Sequence, residues 1–393
     1  MEMGLENKIA YVGKVMPPAI WRALQSPVRR PVHVVLALAD HFEPAIDPTD
    51  GHKRVSHSEQ QRRLEYWTSQ YPKVVDGWRD HDGRPLVHTY FYPAEQYDEA
   101  LVEMLAEHCH AGWGEVEIHL HHGFAGPDSI ENTRRVLTEF RDQLVFRHRC
   151  LAREPGSEHA RYAFVHGNFA LANSAGGRFC GVDSEMQILA ETGCYADLTM
   201  PSGIWHPAQI AKTNSLYECD LPLDQPAPHR QGRDLSVGRV PTTFPLMVQG
   251  PLVADLRRTL GSRRPVLENG GITGANPPTM HRYSLWKQAQ IQVFGRPDWL
   301  FVKLFCHAMN PTQKDAVMGN GFREFLSALV GEAGDRKETL HFVSAREMAN
   351  IVLAACDGRE GNPGDYRDYR FKRLVDQPLS AEKIGAVSVS GKG

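Results

Sequence analysis

Alternation of strand-like and helix-like segments is the feature that most restricts how this chain can fold. The first apolar segment, PVHVVLALAD at 31–40, is an unbroken run rich in β-branched residues. Such a run is typical of a strand that is covered on both faces. Further strand-like segments follow, separated by stretches with apolar residues at helical spacing. Alternating strands and helices indicate a parallel sheet or barrel, so we predict an α/β protein.

The remaining elements are placed by apolar periodicity and by residues that start or stop helices. Strands are predicted at 86–93, 114–122, 161–168, 194–202, 299–308 and 340–344, and helices at 94–110, 128–148, 183–192 and 279–293. Gly193 closes the third of these helices. Asp128 with Glu131, and Ser344 with Glu347, have the spacing of capping boxes that open helices.

This pattern predicts one (β/α) barrel domain over residues 31–354, seven-stranded and incomplete. Residues 1–30 form an N-terminal extension. Residues 203–278 are rich in Pro, Gly and Arg, have little periodicity and are predicted to be a long irregular insertion over the carboxyl ends of the strands. The polar tail at 355–393 is predicted to be partly disordered.

Charge and cysteine usage exclude several classes of protein. The 44 basic and 47 acidic residues give a net charge of −3, which argues against a nucleic-acid or anionic membrane partner. No uncharged apolar run approaches the ~20 residues that a membrane span requires. Seven cysteines without a Cys-x-x-Cys pair argue against a zinc ribbon or disulfide framework. Reduced thiols and the absence of a basic, apolar leader predict a cytoplasmic location.

Polar residues follow several predicted strands, at the edge where barrel active sites lie. On the third strand, His119 and His121 share one face with Glu117, whereas His122 faces the other way. Two imidazoles at this spacing can bind one metal ion, with His41 or Asp40 of the first strand as a third ligand. A mixed set of histidine and carboxylate suits Zn²⁺ with a position left open for water.

Other strand-end residues carry weaker signals. Each has a structural alternative: His166 a hydrogen-bonded core histidine, Asp197 a loop cap, Glu43 an exposed turn residue, and Arg346 a loop anchor. With Asn168, these four are the candidates for substrate binding or for support of the metal ligands. The remaining histidines on predicted helices and loops, His108, His110, His148 and His159, are expected at the surface.

The motif order resembles the polysaccharide deacetylase (NodB-like) group of the glycoside hydrolase/deacetylase β/α-barrel superfamily. Asp40-His41 resembles the first deacetylase motif, in which one Asp is the base and its neighbour binds metal. GEVEIHLHHG at 114–123 resembles the stretch that supplies a metal-binding histidine, here His121. VKLFCH at 302–307 resembles the last motif, whose histidine is the catalytic acid, here His307.

Four further stretches, HGNFALANS (166–174), CGVDSEMQILAETGCYADLTMPS (180–202), WLFVKLF (299–305) and SAREM (344–348), resemble a bacterial branch of the superfamily. The chain departs from the pattern at several places. His41 replaces the metal-binding Asp, and Ala125 replaces the second metal histidine, so His119 must substitute. Gly123, Ala172 and Phe305 stand where the branch carries polar residues, which implies weakened or altered catalysis.

The resemblance implies a metal-dependent hydrolase that removes an N- or O-acetyl group from a carbohydrate. Asp40 would accept a proton from water and His307 would protonate the leaving group. One alternative is a glycoside hydrolase that uses two carboxylates, Asp40 or Glu43 with Asp197. Another is a catalytically degenerate carbohydrate-binding protein with an aromatic platform in the insertion, formed by Trp205, Tyr217 and Phe244.

Overall fold

A large, mostly parallel sheet flanked by helices forms the centre of the protein in a computed structural model. The structure describes residues 5–25, 28, 30–50, 53–203, 206–210, 212–262 and 265–376. Within these ranges the helices are α1 Leu5–Leu24, α2 His57–Val75, α3 Glu99–His108, α4 Ile130–Phe146, α5 Glu185–Thr192, α6 Leu256–Ser262, α7 Met280–Gln288, α8 Asp315–Met318, α9 Asn320–Gly331 and α10 Ala345–Cys356.

The same ranges contain fourteen strands. They are β1 Val32–His41, β2 His88–Pro93, β3 Gly114–Leu120, β4 Ala152–Arg153, β5 Ala160–His166, β6 Cys194–Asp197, β7 Leu216–Cys219, β8 Gly232–Asp234, β9 Leu246–Val248, β10 Val253–Ala254, β11 Leu267–Glu268, β12 Trp299–Cys306, β13 Glu338–Val343 and β14 Lys372–Arg373. Twelve of them form one sheet, and β10 and β11 form a separate pair.

Strand β1 pairs with three other strands in the parallel part of this sheet. It pairs with β12 over residues 33–40, while its other edge pairs with β13 over residues 32–37 and with β2 over residues 38–41. The strand order continues through β2, β3, β5 and β6 to β9, all parallel, and ends in the antiparallel strands β7 and β8. The carboxyl ends of β1, β2, β3, β5 and β12 therefore meet at one edge.

The prediction of a seven-stranded barrel needs correction. The sheet has twelve strands, and within the described ranges no strand pairing closes its order into a ring. Part of the difference comes from the 203–278 segment, which contributes β7, β8 and β9 to the sheet. These strands have only three or four residues, too few to show a hydrophobic period in the sequence.

The two faces of the sheet are covered by different helices. Val34, Leu36 and Leu38 of β1 pack in one apolar cluster with residues of α2, α3, α4 and α5. Val35, Ala37 and Ala39 pack in another cluster with α10, which is buried along its whole length. Because side chains alternate along a strand, Asp40 belongs to the first face and His41 to the second.

Helix starts and stops follow the predicted residues in two cases and differ in a third. Gly193 caps α5 with a φ of 104°, and Ser344 with Glu347 forms the capping box of α10. Helix α4 begins after Ser129 rather than after Asp128, because the Ser129 hydroxyl accepts the N–H of Asn132. The Asp128 carboxylate instead contacts His122.

Both ends of the described chain pack on the sheet region. Val15 of α1 is buried against Leu252, and β14 pairs with β4, with Phe371 fully buried beside it. Of the tail at 355–393 that was predicted to be partly disordered, residues 355–376 are described, and residues 377–393 lie outside the described residues. Within the described ranges, no helix combines the length and the apolar character that crossing a membrane would require.

Candidate metal centre

Three side chains from two strand ends converge on one point. His119 is the sixth residue of β3 and His121 follows its last residue, so both imidazoles project from the same face as the sequence predicts. Glu43 follows the end of β1. Its Oε1 atom lies 2.9 Å from Nε2 of His121 and 3.4 Å from Nε2 of His119. Two imidazoles and one carboxylate thus face a common centre.

Each imidazole is oriented by a hydrogen bond on its far side. Nδ1 of His119 lies 2.6 Å from the carbonyl oxygen of Val165 in β5. Nδ1 of His121 lies 2.9 Å from Oε1 of Glu95, just after β2. Because a carbonyl oxygen and a carboxylate can only accept a hydrogen bond, each Nδ1 carries the hydrogen. Nε2 is therefore the atom that is available to a metal. Metal-binding histidines are held in this way by a carbonyl or a carboxylate.

Burial and charge favour a cation at this centre. Burial would raise the pKa of Glu43, but its contacts with His119 and His121 outweigh burial and hold that pKa well below its usual value. Burial, together with the neighbouring His121, lowers the pKa of His119. Burial also acts to lower the pKa of His121, yet its bonds to Glu43 and Glu95 raise it to about 10. Without a metal, a proton on His121 supplies the positive charge.

The residues present fit a divalent metal ion. Nε2 of His119 is buried and has no hydrogen-bond partner of good geometry. One ligand atom from each of Glu43, His119 and His121 lies within 4.8 Å of the other two. Ligands about 2.1 Å from one ion lie about 3.0–3.4 Å apart at octahedral and tetrahedral angles, close to the observed separations. Two histidines and one carboxylate leave further coordination positions open.

Two more histidines and two phenylalanines adjoin the centre. His41 lies on the opposite face of β1 from Asp40. Its ring is 4.9 Å from that of His119 and 4.5 Å from that of His307. The ring of Phe305 lies 6.0 Å and that of Phe169 lies 6.4 Å from His41. The structure therefore brings His41 and His307 together beside the centre, with Phe305 as an apolar neighbour.

An open cavity of about 260 Å³ borders the other side of the centre. Glu43, Glu95 and His121 form part of its wall, together with Arg54 and Phe124. The ring of Phe124 is 48% exposed and is stacked on His121, with 6.1 Å between the ring centres. A pocket that combines an exposed aromatic face with charged groups is suited to a polar ring with apolar faces, such as a sugar.

Asp40 lies away from this centre, which corrects its predicted place. Its Oδ2 atom is 3.2 Å from Nδ1 of His88, and its Oδ1 atom accepts the N–H of Ala308 at 3.0 Å. Asp40 is fully buried on the face of β1 opposite to His41. Asp40 therefore lies outside the group formed by Glu43, His119 and His121, in which Glu43 supplies the third candidate ligand.

The other predicted residues lie in different surroundings. His166 is fully buried and contacts His122 and Glu185 instead of His119. Asp197 accepts hydrogen bonds from the backbone and hydroxyl of Thr199, and burial raises its pKa to about 7. Asn168 adopts a left-handed φ of 55°, and its buried Nδ2 has no hydrogen-bond partner among the described residues.

Arg346 lies at the far end of β3. Its guanidinium bonds both carboxylate oxygens of Glu115, the second residue of that strand, at 2.9 and 2.7 Å. His121 lies six positions beyond Glu115, which corresponds to about 20 Å of extended chain. Arg346 also bonds Asp368 and the carbonyl of Phe371, so it anchors the C-terminal segment and not the metal centre.

Glu95 and Phe124 are site residues that the sequence analysis did not identify. Glu95 follows β2 directly, so its position after a parallel strand was an available signal. Phe124 lies three residues beyond His121 in a loop, where no periodicity distinguishes it. Scanned against models of known protein families, the chain matches none, and no curated protein sequence matches it either.

Proposed function

We propose that the protein is a metal-dependent hydrolase that removes acetyl groups from a carbohydrate. The observation that carries the proposal is the convergence of Nε2 of His119, Nε2 of His121 and a carboxylate oxygen of Glu43 beside an open cavity. The acetylated carbohydrate comes from the resemblance to the deacetylase group, and the exposed ring of Phe124 supports it. Zn²⁺ is the ion that we expect at this centre.

The protein's own residues have distinct parts in such a reaction. Glu43, His119 and His121 would hold the ion, while Glu95 and the Val165 carbonyl fix the two imidazoles. The ion supplies a Lewis acid that polarises an acyl carbonyl and lowers the pKa of water. The ring of Phe124 offers a stacking surface for the sugar at the cavity wall.

Proton transfer falls to His41 and His307 in this proposal, in place of Asp40. Burial, with His307 and His119 nearby, holds the pKa of His41 well below its usual value. His41 is therefore neutral near pH 7 and can accept a proton at a ring nitrogen. The adjacent His307, which is less buried, is placed to protonate a leaving amine or alkoxide.

The two alternatives have less support. A glycoside hydrolase needs two carboxylates on either side of one sugar bond, but Asp40 points to the opposite face of β1 and Asp197 bonds Thr199. Of the proposed aromatic platform, Tyr217 is fully buried and Phe244 lies under Arg161 and Arg370. Trp205 lies outside the described residues.

Two broader parts of the sequence interpretation stay proposals. A β/α barrel agrees with the approach of Lys303 in β12 to the carbonyl of Leu198 after β6, at 2.8 Å, although no strand pairing joins these strands. A cytoplasmic location agrees with seven cysteines that are all free and buried.

Acetate release from acetylated oligosaccharides tests the proposal. Zinc-loaded protein is incubated with N-acetylated chito-oligosaccharides and O-acetylated xylo-oligosaccharides. We expect turnover that a chelator abolishes and that falls at least ~100-fold in His119→Ala and His121→Ala. His159→Ala, at an exposed loop histidine, is the matched control and should keep full activity. Zinc-loaded protein that binds these sugars without releasing acetate would overturn the hydrolase and support the binding protein.

A further inference from the structure

We propose a second metal site, formed by His122, His166, Cys180 and Glu185, which holds a Zn²⁺ ion in a structural role. One ligand atom from each of these four side chains lies within 4.8 Å of the other three. Cys180, His166 and Glu185 are fully buried and His122 is 7% exposed. This site is separate from the candidate metal centre, because His122 faces the opposite side of β3 from His119 and His121.

The separations among the two imidazole nitrogens and one carboxylate oxygen are close to those around a four-coordinate ion. Nε2 of His122 lies 3.0 Å from Nε2 of His166 and 3.1 Å from Oε1 of Glu185, which is 3.3 Å from Nε2 of His166. Sγ of Cys180 lies 3.5 Å from the other oxygen of Glu185. Tetrahedral ligands at ~2.1 Å, or at ~2.3 Å for sulfur, are about 3.3–3.6 Å apart, so a shift of a few tenths of an ångström would seat the ion.

The groups that support these four side chains are those that metal ligands use. Nδ1 of His122 donates to Asp128 at 2.7 Å, and Nδ1 of His166 donates to the carbonyl of Gly167. Both histidines therefore present Nε2 to the cluster. The sulfur of Cys180 accepts the N–H of Val182 at 3.4 Å.

Without an ion, the cluster places two acceptors against each other. His166 carries its hydrogen on Nδ1, so its Nε2 presents a lone pair to the cluster. The facing Oε1 of Glu185 is also an acceptor. A single hydrogen on Nε2 of His122 must serve both acceptors. A divalent ion would satisfy all four groups at once.

The chain around the cluster is bent in ways that require a strong anchor. Five non-glycine residues between β5 and α5 have positive φ angles: Asn168, Phe169, Ala172, Asn173 and Phe179. Non-glycine residues in the left-handed region are strained and persist only where surrounding contacts determine them. The second oxygen of Glu185 accepts the N–H of Ala172 at 2.6 Å. An ion held by Cys180 and Glu185 would fix this loop.

Two residues that depart from the family pattern fit around this site. Gly123 has a φ of 68°, and a β-carbon there would overlap the backbone of Cys180. Ala172 donates its backbone N–H to Glu185. Close packing around the second site would therefore explain why positions 123 and 172 carry no polar side chain. The loss of groups from a catalytic site is then not needed as an explanation.

A structural role follows from the number of protein ligands and from burial. Four protein ligands leave a tetrahedral ion without a position for water, as in structural zinc sites. The loop that the ion would fix forms one wall of the candidate metal centre, because Gly167 packs against His121 and Phe169 adjoins His41. Loss of this ion should therefore loosen the neighbouring centre.

Cobalt substitution of the full-length protein tests the second site. Protein stripped of metal and reloaded with Co²⁺ should bind two ions per chain and show a thiolate-to-cobalt charge-transfer band in the near ultraviolet. Cys180→Ser should abolish the band and reduce the content to one ion. Cys219→Ser is the matched control, because Cys219 is buried in β7 and belongs to none of the groups of described residues that could hold a metal, and it should keep both the band and two ions.

The same experiment separates this inference from the proposed function. His119→Ala should lose the other ion and keep the charge-transfer band, whatever the activity of the protein is. A wild-type cobalt protein without the band, or a band that persists in Cys180→Ser, would overturn the second site. X-ray absorption of the wild-type zinc protein gives a check that needs no variant: a sulfur neighbour at ~2.3 Å is expected, and its absence would also overturn the site.

Discussion

The imidazole ring of His121 packs against the backbone of Gly167, in the space that a β-carbon at position 167 would occupy. Gly167 directly follows His166, so this contact joins the loop after β5 to His121, the candidate ligand that follows β3. The two strands are neighbours in the sheet, with His119 paired to Val165. The position of His121 thus depends both on its hydrogen bond to Glu95 and on the close approach of Gly167, which has no side chain.

Gly167→Ala should weaken metal binding at the candidate metal centre. The new methyl group would overlap the ring of His121 and the carbonyl of Leu120, so Nε2 of His121 must move away from Glu43. We expect at least ~10-fold weaker zinc affinity, measured by competition with a chromophoric chelator. Gly126→Ala, where a β-carbon meets nothing within 4 Å, is the control. Equal affinities in the two variants would contradict the close contact.

Glu95→Gln should weaken the same centre through the orientation of His121. The carboxylate of Glu95 accepts both the Nδ1–H and the backbone N–H of His121. An amide keeps one acceptor oxygen but loses the charge that makes the imidazole a stronger ligand, so zinc affinity should fall ~10–100-fold. Glu103→Gln removes a similar charge beside His148 and should leave zinc affinity unchanged. A lower zinc affinity in both variants would show that the loss of any nearby negative charge weakens binding, and would contradict a specific role of Glu95.

Alternation along β3 allowed part of the metal centre to be predicted from the sequence. The period of two places His119 and His121 together and His122 apart, and the structure confirms both placements. The same rule places Asp40 and His41 on opposite faces of β1, so they cannot both reach one ion. The resemblance to deacetylases implied Asp40 as the base, whereas its carboxylate contacts His88 and the N–H of Ala308 and lies outside the candidate metal centre.

Contacts between distant parts of the chain could not be predicted from the sequence. Glu43 and Glu95 meet His121 because β1, β2 and β3 are adjacent in the sheet, and spacing along one strand carries no such information. Glu185 lies 63 residues from His122 and reaches it from a helix. His108 and His148, expected at the surface, are buried because neighbouring elements cover them with Tyr90 and Tyr97.

Asp40→Asn and Asp40→Ala should separate a supporting role from a catalytic one. An asparagine can keep the bonds to His88 and to the N–H of Ala308, so we expect acetate release within ~3-fold of the wild type. An alanine leaves both buried groups unpaired and should lower the free energy of unfolding by about 2–4 kcal/mol. Urea unfolding and initial rates measure the two effects. A 100-fold loss of rate in a stable Asp40→Asn protein would restore Asp40 as the base.

His108 should make the stability of the protein depend on pH between about 4 and 6.5. The imidazole is buried beside the hydroxyl of Tyr90, at 3.0 Å, and burial together with His88 lowers its pKa to about 4. In the unfolded chain the pKa is about 6.5, so the unfolded state binds more protons across this interval. The free energy of unfolding should therefore fall by about 3 kcal/mol as the pH falls from 6.5 to 4.

In His108→Gln, whose amide oxygen can still accept from Tyr90, this part of the pH dependence should vanish. His159→Gln, at an exposed histidine, should retain the wild-type profile in urea unfolding at pH 7, 6 and 5. A His108→Gln profile parallel to the wild type would show that the pKa of this histidine is the same in the folded and unfolded states.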